Sequence, residues 1–97
     1  MEVVVIRNFK DEETAKIANG ERSRKRPIEI QAKAYRLLRI MARIDDWNDL
    51  RYPPGNKLHA LAGNRAGQYA IWTNQQWRIA FTPIDGMMTD VEITDYH

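Results

Sequence analysis

The strongest periodicity in this chain lies between residues 27 and 44 and predicts an amphipathic helix. Apolar side chains recur there mostly at steps of three and four, so they share one face of an α-helix. These side chains are Ile30, Ala34, Leu37, Leu38, Met41 and Ile44. Pro27 suits the first turn of such a helix, where the backbone N–H groups have no partner within the helix. We predict that this apolar face packs in the core, while Lys33, Arg36 and Arg43 face solvent or a ligand.

Weaker signals place other elements before and after this helix. Residues 3–6 are apolar and β-branched and predict a first strand. A short helix is expected from residue 11 to about residue 18, because its acidic start suits the positive end of the helix dipole. Asn19-Gly20 ends that helix. Residues 45–50 favour one further turn, and the Pro- and Gly-rich segment 52–56 excludes regular structure.

Three strand-like runs occupy the last third of the chain. They cover residues 68–73, 76–83 and 87–96, with the turn dipeptides Asn74-Gln75 and Asp85-Gly86 between them. In the middle run, Trp77, Ile79 and Phe81 alternate with Arg78, Ala80 and Thr82. One face of this strand is therefore expected to pack in the core, and the other face presents Arg78. The predicted fold is α+β, in one domain over residues 1–97. It comprises a strand, two helices packed on one face of the sheet, and a three-stranded antiparallel meander.

Composition narrows the class of protein. The chain has 97 residues, enough for one modest core, and 43% of them are hydrophobic. It contains no cysteine, so disulfides, zinc–thiolate sites and thiol nucleophiles are excluded. No apolar run approaches the roughly 20 residues of a membrane span, and the start is not a signal peptide. We therefore expect a cytoplasmic protein with no membrane contact.

The net charge of +2 hides a marked asymmetry along the chain. Eight basic residues stand against Glu21 and Glu29 between residues 20 and 43, whereas residues 83–97 hold four acids and no Lys or Arg. Such a basic block is typical of a surface that binds a polyanion. The alternative interpretation is a solvated helix face beside a floppy basic loop.

The chain has two histidines, His59 and His97, and histidine is the residue type best suited to proton transfer near neutral pH. His97 ends the sequence Asp95-Tyr96-His97, at the end of the last predicted strand. Because chain ends usually fray, a functional group there suggests that the strand is tied into the sheet. The sequence therefore indicates that the end of the chain carries the chemistry.

Three segments resemble a known family: LHALAGNRAGQYAI (58–71), NQQWRIAF (74–81) and VEITDYH (91–97). Together with the order of elements, they resemble the HigB branch of the RelE/ParE superfamily of bacterial type II toxins. The resemblance implies a ribosome-dependent mRNA endonuclease that needs no metal or cofactor. Its expected partners are the ribosome, mRNA and a cognate helix-turn-helix antitoxin, with operator DNA bound only through the antitoxin.

The resemblance also implies which residues act on RNA. The catalytic set would be His59, Arg78, Asp95, Tyr96 and His97. The family has a lysine three residues after the loop histidine, and this chain has Ala62 there. Lys57 or Arg65 could supply the missing positive charge.

Cleavage of RNA without a metal needs a base near the 2′-hydroxyl, a donor for the leaving oxygen and positive charge on the phosphate. We expect His97 to handle protons and Arg78 to clamp the phosphate with its planar guanidinium. For Arg78 the alternative is a cross-strand salt bridge to Asp90 or Glu92.

The roles of the other predicted catalytic residues stay open. Tyr96 either stacks on a base or donates to the phosphate, unless it is only a half-buried strand residue. Asp95 more plausibly orients a histidine or arginine than acts as the base. His59 either touches RNA or fixes its loop.

The expected contacts to RNA or the ribosome are basic side chains of the loop, the helix and the glycine-rich segment: Arg22, Arg24, Lys25, Arg26, Lys33, Arg36, Lys57 and Arg65. The same surface could instead bind an acidic segment of the antitoxin. Two other functions stay open. One is a poison that binds a protein such as DNA gyrase, as in the ParE branch, and the other is a degenerate RNA-binding or ribosome-binding module.

Overall fold

The computed structural model describes residues 5–95 and shows helices on one face of an antiparallel sheet. Residues 1–4, 96 and 97 fall outside the described part. The sheet order is β1-β2-β3-β4. The elements are α1 (Glu12–Ala18), α2 (Ile28–Met41), β1 (His59–Ala60), β2 (Tyr69–Trp72), β3 (Trp77–Ile84) and β4 (Met87–Asp95). Short 3₁₀ turns cover Trp47–Arg51, Pro54–Asn56 and Gly63–Arg65. The α+β prediction is confirmed.

The apolar stripe of α2 forms the core, as its periodicity predicts. Every predicted stripe residue within the helix is buried, whereas Ile44 lies beyond the helix end and is half-buried. The stripe packs against one face of the sheet, which contributes Ile71, Ile79, Phe81 and Ile93. Full burial of a side chain of this size stabilises a fold by about 1.5–3 kcal/mol, so this contact supplies much of the driving force for folding.

Local signals fix the ends of α1. The Asp11 carboxylate caps the helix by accepting the N–H of Thr14 at 2.7 Å. Asn19 is the C-terminal cap, and Gly20 adopts φ +82°, a left-handed conformation that favours glycine. Both helix boundaries agree with the sequence prediction.

The sheet has one strand more than the predicted meander. The additional strand, β1, is only two residues long and pairs His59 with Ala70 and Ala60 with Tyr69. A two-residue strand has no alternation to recognise, so sequence patterns do not predict it. The three predicted strands, β2 to β4, and their two hairpin turns are confirmed.

The predicted first strand, at residues 3–6, lies partly outside the described residues. Its described part, residues 5 and 6, runs parallel to β4 with an isolated bridge from Ile6 to Met88, and beyond the predicted strand a second bridge joins Phe9 to Val91. It therefore lines the outer edge of β4 instead of forming a continuous ladder.

A β-bulge at Asp90 changes which residues of β4 face the core. Ala80 pairs with Glu92 and Thr82 with Thr89, so one residue of β3 opposes two residues of β4. Asp90 has φ +51° and exchanges two hydrogen bonds with the Asn8 side chain. Because the bulge shifts the alternation by one residue, Met88, Val91 and Ile93 are all buried on the helix side.

The backbone groups on the outer edge of β4 form hydrogen bonds with the N-terminal segment and with α1. The backbone of residues 5–10 exchanges four hydrogen bonds with Met88 and Val91. Further along, the buried Thr14 hydroxyl accepts the N–H of Ile93 at 2.9 Å. One helix side chain thus completes the edge where the N-terminal segment ends.

The middle of the basic loop is held by buried hydrogen bonds. The Ser23 hydroxyl donates to the Glu13 carboxylate at 2.7 Å, and the Gln31 amide bonds the backbone N–H and C=O of Ser23. The donation from Ser23, assisted by Lys16, holds the pKa of Glu13 below its usual value. The loop is therefore anchored to both helices, and the expectation of a floppy loop does not hold at Ser23.

We expect Thr14→Val to destabilise the protein by about 1–3 kcal/mol, because the buried N–H of Ile93 then has no acceptor. Thr14→Ser keeps the hydroxyl and is the matched control. Equilibrium urea unfolding of the three proteins measures the difference. Equal midpoints for the valine and serine variants would show that the hydroxyl contributes nothing.

We expect the stability that Glu13 contributes to depend on pH. Because its pKa is lowered in the folded protein, that stability is present above the unfolded pKa of about 4.3 and is lost as pH falls through the folded pKa. Glu13→Gln should therefore lower the melting temperature at neutral pH, with the difference shrinking below about pH 4. Glu12→Gln, at an exposed residue of the same turn, is the control. A difference from wild type that stays constant with pH would contradict this expectation.

Candidate functional site

Side chains from three neighbouring segments surround a pocket of about 500 Å³ on the sheet face away from the helices. Because register partners place their side chains on one face, His59, Ala70, Ala80 and Glu92 form one row across the sheet. Trp72, Arg78 and Thr94 form a second row on that face. The residues that line the pocket are Lys57, Leu58, His59, Trp72 and Arg78. The structure thus brings two predicted catalytic residues, His59 and Arg78, to one place.

The ring of His59 is oriented by the backbone beside it. Its Nδ1 lies 2.7 Å from the carbonyl oxygen of Lys57. A carbonyl only accepts hydrogen bonds, so Nδ1 carries the proton in this contact. In the neutral ring the lone pair then lies on Nε2, and this nitrogen can accept a proton.

Lys57 reaches the pocket from a left-handed backbone conformation with φ +52° and ψ +50°. Such a conformation is uncommon for a lysine. It follows the 3₁₀ turn at Pro54–Asn56 and directs the carbonyl of Lys57 to His59. The ammonium nitrogen lies 4.3 Å from the centroid of the Trp72 ring. One residue therefore orients the imidazole and adds a positive charge.

Arg78 lies over the same indole. Its Cζ is 4.2 Å from the centroid of the Trp72 ring, and Nη1 donates to the carbonyl of Asn74 in the hairpin turn. The two acids considered as alternative partners bond elsewhere: Glu92 with Arg65, and Asp90 with Asn8. The guanidinium of Arg78 therefore lies at the pocket instead of forming either of those salt bridges.

The loop after β1 is fixed to the sheet by Arg65. Its guanidinium lies 2.8 Å from the Glu92 carboxylate and also contacts Gln68 and Thr94. Beneath the loop, Leu61 packs on Ala70 and Ala80 in a small second cluster. The sheet face that carries Arg78 is therefore buried at Ala80. Of the two cations expected to compensate for Ala62, Lys57 lies in the pocket, whereas Arg65 is neutralised by Glu92.

The end of β4 is only partly described. Asp95 pairs with Trp77 and accepts a hydrogen bond from the Gln76 amide at 2.8 Å. It is not among the described residues that line the pocket. Tyr96 and His97, the two remaining predicted catalytic residues, lie outside the described residues.

The basic residues of the loop and of α2 lie apart from the pocket. Arg22, Arg24 and Lys25 are exposed in the loop, and Lys33 and Arg36 are exposed on α2. Arg26 is half-buried, 3.7 Å from the Asp11 carboxylate and 6.0 Å from the Trp77 ring. Since α2 packs on the opposite face of the sheet from Arg78, this basic surface and the pocket face different directions.

Leu58 and Trp72 line the pocket but are not among the predicted site residues. The sequence offers one signal for Trp72: it falls out of register with Tyr69 and Ile71, so it points away from the core. Trp47, in contrast, packs against Tyr69 and Phe81 as a core residue.

Residues 5–95 contain no group of three or more His, Cys, Asp or Glu side chains placed to hold a metal ion. No helix in this part of the chain is long and apolar enough to cross a membrane.

Known proteins resemble this chain over most of its length. Residues 7–97 match the family described as the RelE-like toxin of type II toxin–antitoxin system HigB. Over 69 residues the chain is 36% identical to the toxin HigB-1 of Vibrio cholerae serotype O1. That match covers 71% of this chain and 73% of the relative. The family match includes each described residue that lines the pocket.

We expect the two cations beside Glu92 to contribute unequally to stability. Arg65→Gln removes the 2.8 Å partner of a carboxylate whose side chain is 12% exposed, and should cost about 1–3 kcal/mol. Lys10→Gln removes a partner at 3.6 Å whose side chain is 53% exposed, and should cost at most about 1 kcal/mol. Thermal unfolding of both variants measures the difference. Equal costs would show that burial does not strengthen the Arg65 contact.

Proposed function

Because the chain belongs to the HigB family of RelE-like toxins of type II toxin–antitoxin systems, we propose that it cleaves mRNA during translation on the ribosome. A toxin of such a system has an antitoxin as its partner. We propose that this antitoxin is a helix-turn-helix protein that neutralises the toxin and alone contacts operator DNA. The proposed site of action is the cytoplasm.

The observation that supports RNA cleavage best is the convergence of His59, Lys57 and Arg78 on one pocket. A phosphodiester needs positive charge as its oxygens gain charge in the transition state, and it needs a group that moves a proton. The planar guanidinium of Arg78 can form two hydrogen bonds with a phosphate, and the ammonium of Lys57 adds a second positive charge. The imidazole of His59 lies beside them, oriented by the Lys57 carbonyl. Arg78 and Lys57 therefore meet the requirement for positive charge on the phosphate, and His59 lies beside them.

In the proposed reaction, the 2′-hydroxyl of one nucleotide attacks the adjacent phosphorus, and the 5′-oxygen of the next nucleotide leaves. The attacking oxygen loses its proton to a base, and the leaving oxygen gains one from an acid. The products are a 2′,3′-cyclic phosphate and a free 5′-hydroxyl. We assign phosphate binding to Arg78 and Lys57, and contact with RNA near the pocket to His59.

The last three residues of the chain are proposed to supply the remaining groups for cleavage. We assign proton transfer to His97, base stacking or phosphate contact to Tyr96, and orientation of a neighbouring side chain to Asp95. The exposed basic residues on the opposite side, including Arg22, Arg24, Lys25, Lys33 and Arg36, are proposed to contact ribosomal RNA or the antitoxin. Since they lie across the sheet from Arg78, they are not proposed to contact the scissile phosphate.

A second function, inhibition by binding a protein such as gyrase without cleaving RNA, is favoured by one observation: Ala62 replaces the lysine that the family resemblance implies. Primer extension on mRNA, with and without translating ribosomes, separates the two. Cuts that need ribosomes and disappear in His97→Ala support cleavage. Growth arrest with intact mRNA supports the second function.

We expect Lys57 to provide the charge that Ala62 lacks. Lys57→Ala should reduce mRNA cleavage by about ten-fold or more, the scale of losing one charged contact to the transition state. Adding Ala62→Lys to that variant should restore much of the loss, because residue 62 is exposed in the loop that directly follows β1, the strand that carries His59. Cleavage rates in a reconstituted translation system measure both effects.

Ala66→Lys, added to Lys57→Ala, is the matched control, since it places an equal charge at another exposed position of that loop. Rescue by lysine at 66 as well as at 62 would mean that only the net charge matters. If Lys57→Ala cleaves mRNA as fast as wild type, Lys57 has no part in the reaction.

A further inference from the structure

A surface groove on the outer side of α2 combines apolar side chains with arginines. It has a volume of about 310 Å³, and the residues that line it are Tyr35, Arg36, Arg39, Ile40 and Arg43. We call it the α2 groove. Since the buried stripe of α2 faces the sheet, the α2 groove lies on the side of the helix that points away from the core.

Apolar surface on this side of α2 is exposed at both ends of the helix. Ile40 is 51% exposed, although the next residue, Met41, is fully buried. Ile28 is 60% exposed and lies seven residues before the half-buried Tyr35, on the same helix face. A single exposed isoleucine is ordinary on a protein surface. Here two isoleucines, with a tyrosine between them in the sequence, extend apolar surface along about 18 Å of helix.

The three arginines of the α2 groove have no carboxylate partner within residues 5–95. The salt bridges in this part of the chain use other cations, namely Lys10, Lys16, Arg26 and Arg65. Arg36 and Arg39 are three residues apart on the helix, and like charges at this spacing repel. The helix dipole favours a basic residue in the last turn, where Arg39 lies, but Arg36 precedes that turn. An acidic partner would therefore stabilise this surface.

The contacts of Tyr35 favour a protein partner over RNA. The Cζ of Arg39 lies 5.6 Å from the centroid of the Tyr35 ring, and its Nη1 donates to the Tyr35 hydroxyl at 3.1 Å. Because the guanidinium covers the ring, the tyrosine is a poor platform for stacking a base. RNA phosphates could pair with the arginines, but RNA has no aliphatic side chain to cover Ile40. A protein helix with carboxylates beside an apolar stripe matches both features.

We infer that the α2 groove binds an amphipathic helix of the antitoxin, in which Asp or Glu side chains flank an apolar stripe. The aliphatic side chains of that helix cover Ile40, and its carboxylates pair with the three arginines. This inference rests on the proposed function for the source of the helix. It assigns this part of the basic surface to the antitoxin and not to ribosomal RNA.

The first test measures the affinity of the purified toxin for its antitoxin by titration calorimetry. Ile40→Ala should weaken the complex by about 5–30-fold, the scale of truncating a well-packed apolar side chain in an interface. Ile84→Ala is the matched control, because Ile84 is an isoleucine that is 42% exposed at the end of β3. Thermal unfolding checks that both variants stay folded. Unchanged affinity of Ile40→Ala, equal losses in the two variants, or no complex with wild type would overturn the inference.

A second test concerns the charges. Arg39→Gln/Arg43→Gln should weaken antitoxin binding by about ten-fold at about 0.05 M salt and by less at about 0.5 M, because salt screens exposed charges. Arg22→Gln/Arg24→Gln removes two exposed charges from the basic loop and is the matched control. It should keep the affinity of wild type at both salt concentrations. If the loop variant loses as much affinity as the groove variant, net charge alone accounts for binding and the inference is wrong.

Cleavage of translated mRNA in the absence of antitoxin separates this inference from the proposed function. Ile40→Ala should cleave as fast as wild type, since α2 packs on the sheet face opposite the pocket. Slower cleavage with unchanged antitoxin affinity would overturn the inference and assign the α2 groove to the ribosome. If wild type leaves mRNA intact while Ile40→Ala weakens antitoxin binding, the proposed function fails and the inference stands. If wild type cleaves mRNA and Ile40→Ala binds antitoxin as wild type does, the inference alone is wrong.

Discussion

The hydrogen bonds along the outer edge of β4 are the constraint on which the rest of the structure depends. The backbone of residues 5–10 occupies the first part of this edge, and the Thr14 hydroxyl occupies the next position at Ile93. The other edge of β4 pairs with β3, which carries Arg78. Since β3 in turn positions β2 and β1, the edge contacts set the register that assembles the pocket.

Four cations of the described chain differ in the partners that they contact. Arg65 and Arg26 have carboxylate partners, which reduce their attraction for an external anion. Lys57 and Arg78 share the neutral indole of Trp72. The net charge of the chain therefore does not report the potential at any one surface.

Sequence patterns predicted most of the fold but only part of the site. The stripe from Ile30 to Met41 and the turn at Asp85-Gly86 are local signals of sufficient length, so α2 and the last hairpin were predicted correctly. β1 was missed because two residues carry no pattern. The family resemblance predicted His59 and Arg78 as site residues. The contacts of Trp72 with Arg78 and Lys57, in contrast, depend on a cross-strand register and on a left-handed lysine that no local pattern encodes.

The bulge at Asp90 makes the last strand intolerant of any change in length. Deleting that residue would turn one part of β4 over, so that either Met88 or the pair Val91 and Ile93 would leave the interior. In the second case Glu92 would turn toward apolar side chains and its contact with Arg65 would break. Surface loops gain or lose residues at modest entropic cost. In this strand, by contrast, deleting a single residue would disrupt the core, as the loss of a core side chain does.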